Sequence, residues 1–433
     1  MDKFKSKIEG LFFMFEIFEK NESSVRSYCR NFPVKFSKAR NAELYSENNE
    51  RYIDFFAGAG AINFGHNNPY IKSKIIEYLN EDNIIHALDM YTVAKEKFIS
   101  TFFDIIIKPK KLDYKIMFCG STGANAVEAA LKLVRKNKKR SNVFAFSGAF
   151  HGMSLGSLAM TSDWYSRGGA GLPLNNVTFI PYCNSLKSPQ DSLDYLEWVL
   201  SDDHSGIDKP AAIFFESVQA EGGINVADID WLKKLRNLCT KYDILLVCDD
   251  IQVGVCRTGK FFSFERADII PDIVVMSKSI SGFGLPMSIL LIKPELDIFS
   301  PAEHNGTFRG NQLAFVGAVA GLDYYEENNL PEMVKEREHI ISDFLIEEIL
   351  PIDRRLSVRG IGMIWGIDFS RIASRLSKIA MQNCVKNNLI IERAGREDCV
   401  LKILPPLTIE KEVLIEGLRI IKNAVSVTLG EKT

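Results

Sequence analysis

Between residues 113 and 280, short apolar runs alternate with segments of helical periodicity. DYKIMF (113–118), NVFAF (142–146), AAIFF (211–215), ILLV (244–247) and DIVVM (272–276) are short and nearly uniformly apolar, which predicts strands buried on both faces. Between them, WLKKLRNLCTKY (231–242) places Leu232, Leu235, Leu238 and Cys239 on one helical face. Apolar strands separated by such helices predict an α/β fold with a mostly parallel sheet covered on both sides.

The rhythm changes after Pro331, where EMVKEREHIISDFLIEEIL predicts a long helix to about residue 350. RLSVRGIGMIWGIDF, NNLIIERAG and CVLKILPPLTI then read as strands, and EKEVLIEGLRIIKNAV as a closing helix, together a smaller α+β unit. The division expected is an N-terminal segment, 1–75, contributing to the small domain and the active-site mouth, a large domain, 76–328, and a C-terminal small domain, 329–433. Near the start, Lys3, Lys5 and Lys7 precede LFFMF as in a secretory signal, but Glu16, Glu19, Lys20 and Glu22 follow at once. Residues 8–20 are expected to form an amphipathic helix or an extension upstream of Met14.

A chain of 433 residues exceeds what one core usually supports, which agrees with two domains. Its net charge of −2 gives no electrostatic footprint for nucleic acid or anionic lipid, so small molecules and other protein chains are the expected partners. No apolar run is long enough to span a membrane. The eight cysteines are scattered, without a CxxC pair or zinc-type spacing, and are expected to be reduced thiols of a cytosolic protein, with no metal site.

Three strands end in an ionisable residue: Glu216 after AAIFF, Asp249 after ILLVC and Lys278 after DIVVMS. Ligands of open α/β sheets bind outside the carboxyl ends of the strands, so the three charges are expected in one crevice. A lysine at the end of an apolar strand is desolvated, and a desolvated amine is what Schiff-base chemistry uses. Asp249 supplies the complementary carboxylate that keeps the pyridine nitrogen of pyridoxal phosphate protonated. Its neighbour Asp250 is the natural rival for this role, and strand alternation puts the two on opposite faces, so only one can point at the ring.

CGSTGANAVEAALKLVRK (119–136) turns from a strand into a helix with Ala126, Ala130, Leu133 and Val134 on its apolar side. Ser121, Thr122 and Gly123 thus lie at a helix N-terminus, where they can cap the helix, hold a phosphate, or do both. Phe150, in SGAFHGMS, is either a core aromatic or a plate against a flat cofactor. His151 beside it invites a catalytic reading, although a lysine can carry the proton transfers alone.

The strand-end lysine, DDIQVG…RTG, ESVQAEGG, STGANAVEAA, AFHGMS and NGTFRGN, in this order, resemble the class III, or ornithine/GABA-type, aminotransferases of pyridoxal-phosphate fold type I, from about residue 25 onward. Within them, VRSYCRNFP, YIDFFAGAGAINFGHNNP and EHNGTFRGNQLAF are most similar to diaminobutyrate:2-oxoglutarate aminotransferases. The resemblance implies that Lys278 carries the cofactor and moves the substrate proton, and that Asp249 binds the pyridine nitrogen. It also implies Gln252 at the phenolic oxygen, Phe150 on the ring, Thr122, Gly123 and Ala124 at the phosphate, and Thr307 from the neighbouring subunit of a homodimer. Glu221 matches the family's gate glutamate. Its cation partner, an arginine in many members, is here Lys402, and Arg309 stands where many carry glycine, adding a charge near the phosphate or the substrate mouth. The implied reaction moves an amino group from L-glutamate to L-aspartate 4-semialdehyde. Ornithine, GABA or related diamines are the alternative substrates, and a mutase, epimerase or decarboxylase is the alternative class.

Overall fold

The computed structural model describes residues 15–183, 185–186 and 188–430. Residues 15–21 are helical, and the rest of the helix expected at 8–20 lies outside the described residues. An antiparallel meander follows, β1 (Phe36–Arg40), β2 (Glu43–Ser46) and β3 (Arg51–Asp54).

The central elements come next: β4 (Lys115–Gly120), β5 (Val143–Phe146), β6 (Val177–Ile180) and β7 (Ala212–Phe215), a short hairpin of β8 (Val218–Gln219) and β9 (Asn225–Val226), then β10 (Leu245–Asp249), β11 (Ile273–Met276) and β12 (Ser288–Ile292). Seven of these form one sheet in the order β4-β12-β11-β10-β7-β5-β6. All its pairings are parallel except those of β12, which runs antiparallel to β11 and β4. The mixed edge lets β12 return directly after the loop that carries Lys278, without a crossover helix.

Both faces of the sheet are buried, as its near-continuous apolar strands require. Ala212, Phe214, Leu245, Val247, Ile273 and Val275 pack with the helix Gly123–Lys138, whereas Ile213, Phe215, Leu246, Cys248, Val274 and Met276 belong to the core on the other side. That second core receives Trp231, Leu232, Leu235, Leu238 and Cys239 of the helix Ile229–Lys241. Each fully buried large apolar side chain contributes roughly 1.5–3 kcal/mol.

The predicted long helix runs Leu330–Phe344 and continues through a π-helical turn, Leu345–Ile349. Beyond it, β13 (Ser357–Ile361), β14 (Ile364–Asp368), β15 (Leu389–Ile390), β16 (Glu392–Ala394) and β17 (Val400–Ile403) precede the helix Lys411–Leu429. Four of them form a sheet in the order β13-β14-β17-β16. NNLIIERAG, expected as one strand, is two. Its first half, β15, pairs in parallel with β3, and after buried Ile391 the chain changes sheets, so that β16 pairs with β17. This switch joins the N-terminal meander to the C-terminal unit and sets Glu392 opposite Lys402.

Fully buried Arg257, following β10, donates to the carbonyls of Met363 and Pro405 and to Asn63 Oδ1. One guanidinium therefore ties the large sheet to both the N-terminal segment and the end of the strand that carries Lys402. All eight cysteines are free, and seven are buried; Cys29 is exposed.

Candidate active site

β7, β10 and β11 are neighbours, so the chain leaves three adjacent parallel strands at Glu216, Asp249 and Lys278 on the same side of the sheet. A cavity of about 150 Å³ there is lined by Gly123, Ala124, Phe150, Glu216, Glu221, Asp249, Gln252 and Lys278, among others. Thr122, Thr307, Arg309 and Lys402 are not among its lining residues.

Lys278 follows extended Ser277 and adopts φ 52°, a left-handed conformation that costs a non-glycine residue about 1 kcal/mol or more. Its Nζ donates to the Ala59 carbonyl at 2.8 Å. Burial draws its pKa down, against the opposing pull of Glu221. Ala57, Gly58 and Ala59 are all left-handed, and this twisted turn presents the Ala59 carbonyl to both Lys278 and Gln252, whose Nε2 donates to it at 2.8 Å. Sequence reasoning missed this acceptor, which lies far from Lys278 along the chain.

Asp249 extends the Leu245 and Val247 face of β10 and accepts from the Ile251 N–H through Oδ1, while its Oδ2 lies 2.7 Å from His151 Nδ1. The His151 side chain is fully buried, and its Nε2 has no hydrogen-bond partner. His151 therefore acts on Asp249 and does not line up with Lys278 as a rival base. Asp250 points away, accepting from the Ser263 N–H, and burial raises its pKa to about 7. Glu216 stands beside Asp249 and accepts weakly from the Phe150 N–H at 3.4 Å; burial, reinforced by Asp249, pushes its pKa well up.

At the opposite wall, Thr122 is the N-cap of the helix Gly123–Lys138 and forms a capping box with Asn125, whose Oδ1 accepts from the Thr122 N–H and hydroxyl. A Cβ at Gly123 would come within 2.7 Å of Ile251 Cδ1, and one at Gly152 within 2.9 Å of Ala124 Cβ. Thr307 is exposed, and Arg309, bonded to the His304 carbonyl, stays with its own loop.

Glu221, in the turn of the β8–β9 hairpin, accepts from Gln252 Nε2 at 3.0 Å and from Lys402 Nζ at 2.7 Å through Oε1. Lys402 on β17 is 0% exposed and also lies 2.7 Å from Glu392 Oε1. Glu392 was not singled out from the sequence, where a lone glutamate in a strand reads as solvent-facing. Tyr28, half exposed, stands near this group, and partial burial of its hydroxyl together with Glu392 and Glu221 raises its pKa to about 12.

Residues 25–425 match the family model described as aminotransferase class-III. The chain is 48% identical over 419 residues to a diaminobutyrate--2-oxoglutarate transaminase of Halalkalibacterium halodurans, covering 96% of this chain and 97% of that one. It is 49% identical over 413 residues to the transaminase of the same name from Streptomyces anulatus, covering 95% and 98%. Among solved structures, the fold is shared with an ornithine aminotransferase from Toxoplasma gondii, at TM-score 0.84, 23% identity and coverage of 97% and 96%. It is shared too with a taurine:2-oxoglutarate aminotransferase from Bifidobacterium kashiwanohense in complex with PLP and glutamate, at TM-score 0.81, 24% identity and coverage of 92% and 93%. The family model spans nearly the whole chain, and near-full-length relatives share almost half of its residues: the chain belongs to the class III aminotransferases.

Proposed function

We propose that the protein transfers an amino group from L-glutamate to L-aspartate 4-semialdehyde, giving L-2,4-diaminobutyrate and 2-oxoglutarate, with pyridoxal phosphate as cofactor. The observation that carries this reading is the convergence of a half-buried lysine, Lys278, with Asp249 and Glu221 around one cavity, Glu221 being paired with Lys402 behind it. The choice of substrate rests on two near-full-length relatives, both named diaminobutyrate--2-oxoglutarate transaminase.

The cavity fits the cofactor. Two glycines, Gly123 and Gly152, keep its wall free of side chains, and the start of the helix Gly123–Lys138 supplies N–H groups suited to a phosphate. Lys278 would hold the cofactor covalently, Asp249 its pyridine nitrogen, Gln252 its phenolic oxygen and Phe150 its ring face, with Glu216 alongside. Thr122, Gly123 and Ala124 would hold the phosphate, joined by Thr307 from the second subunit of a homodimer. Thr307 is exposed and outside its own chain's cavity, which leaves it available to a partner. When bound, the cofactor supplies an electron sink and a carrier for the amino group.

The chain's own residues do the rest. Lys278 Nζ, with its pKa lowered by burial, takes and returns the proton at the reacting carbon. Lys402 receives a carboxylate of glutamate, for which Glu221 gives way; Glu221 closes back on Lys402 when the other half-reaction proceeds. Buried, unpaired thiols suit a cytosolic setting, and among the described residues no helix is long and apolar enough to cross a membrane.

The test is release of 2-oxoglutarate from glutamate across a panel of aldehydes, with Lys278→Ala as control. Aspartate 4-semialdehyde should be the best acceptor and Lys278→Ala should be inactive and retain no covalently held cofactor. Preference for glutamate 5-semialdehyde or succinate semialdehyde would overturn the choice of substrate, and a fully active Lys278→Ala would overturn the mechanism.

A further inference from the structure

Lys402 has two carboxylate neighbours where one would neutralise it. Glu221 Oε1 and Glu392 Oε1 each lie 2.7 Å from its Nζ, and its side chain is wholly buried. The two carboxylates differ in how they are held. Glu221 sits in a hairpin turn and has a second donor, Gln252. Glu392 sits on β16 directly across the ladder from Lys402, so its backbone is held by the pairing.

Glu392 is 6% exposed, and the cation it lies against, Lys402, is shared with Glu221. A buried carboxylate that shares its one cation with a second carboxylate is costly unless another positive group joins them. With Lys402 counted, the three groups carry one net negative charge beside Lys278 when both carboxylates are ionised. That charge is wrong for a site that receives only anions and right for one that also receives a cation. Burial and the nearness of Glu221, offset by Lys402, leave the Glu392 pKa raised to about 7, as expected of a carboxylate short of positive partners.

Resting on the reading above, 2,4-diaminobutyrate reacts through its terminal amine and carries an ammonium and a carboxylate together at its other end. Lys402 can read the carboxylate but not the ammonium. We propose that Glu392 is a specificity-determining residue that accepts the α-ammonium of the diamine, so that Lys402 and Glu392 together read the distal amino-acid end of this substrate. An ω-amine without that ammonium leaves Glu392 buried with only a shared cation, and a site built for a polar group rejects analogues that lack it.

The experiment is a single-turnover titration of the holoenzyme, which separates the apparent Kd for the amine from the limiting rate. The amines are 2,4-diaminobutyrate, 4-amino-2-hydroxybutyrate, in which a hydroxyl replaces the ammonium, and 4-aminobutyrate. The wild type should bind the diamine about ten- to a hundredfold more tightly than either analogue, the range of a charge-assisted hydrogen bond. In Glu392→Gln most of that preference should vanish, chiefly through Kd, and Glu392→Asp should restore part of it. Equal Kd values for the diamine and the hydroxy analogue in the wild type would overturn the proposal whatever the variants do. So would a Glu392→Gln protein that keeps the full preference. A wild type inert toward 2,4-diaminobutyrate but active on another ω-amine would overturn the substrate reading first and this inference with it.

Discussion

His151 Nδ1 lies 2.7 Å from Asp249 Oδ2 in a fully buried contact at the floor of the cavity. The contact orients the carboxylate proposed to face the cofactor's nitrogen. His151→Phe should therefore weaken cofactor retention and turnover together, by roughly ten- to a hundredfold, the worth of a hydrogen bond to a charged group. Equilibrium binding of pyridoxal phosphate by absorbance measures it, and unchanged binding would show that Asp249 needs no such support.

Lys402 is fully buried between Glu221 and Glu392, so its removal leaves two carboxylates without their cation. Lys402→Ala should cost about 3–5 kcal/mol of stability as well as slowing the glutamate half-reaction about ten- to a hundredfold. Lys402→Arg should also be impaired, because a guanidinium needs more room than this closed site gives. Glu221→Ala should harm the diaminobutyrate half-reaction more than the glutamate one. Denaturant melts and single-turnover kinetics of each half-reaction check these outcomes; unimpaired glutamate turnover in Lys402→Ala would place the carboxylate elsewhere.

The strand-end charges were legible because each apolar run is a real strand and the three strands are consecutive in the sheet. The helix Ile229–Lys241 was legible for the same local reason: its buried residues keep a helical period. What could not be read depends on pairing between distant segments. β6 is only partly buried, and β12 follows the Lys278 loop too closely to announce itself as an antiparallel return. Glu392 meets Lys402 only through the β16–β17 register, and His151 meets Asp249 only because β5 and β10 end side by side around β7. Ala59 enters the site through a left-handed turn whose direction nothing local in an alanine predicts.

Asp250 is buried, bonded to the Ser263 N–H, and its pKa stands at about 7. This folded value lies above the unfolded one, so the proton it keeps stabilises the fold fully below the unfolded pKa, and that stability is lost as pH rises through about 7. Asp250→Asn retains the acceptor without the charge. The variant should gain on the wild type as pH rises from about 4 to about 8, by the order of a few kcal/mol. Urea melts across that range decide it; a constant difference would mean that Asp250 titrates normally.

Gly282 ends the loop after Lys278 at φ 72°, and a Cβ there would stand 2.1 Å from the Gly317 carbonyl oxygen in the helix Gln312–Glu327. Both the backbone angle and the contact exclude a side chain. Gly282→Ala should lose at least about 2 kcal/mol, since left-handed strain and overpacking add. Thermal unfolding with and without cofactor measures the loss, and an unchanged melting temperature would mean that loop and helix separate readily.

The most direct measurement follows the nitrogen itself. Purified holoenzyme is given L-glutamate labelled with the heavy isotope of nitrogen, together with unlabelled L-aspartate 4-semialdehyde, and the product is read by NMR. The label should appear at the C4 amine of L-2,4-diaminobutyrate, in step with the 2-oxoglutarate formed, and Lys278→Ala should transfer none. Label at the α-nitrogen, or diaminobutyrate formed without label, would contradict the account.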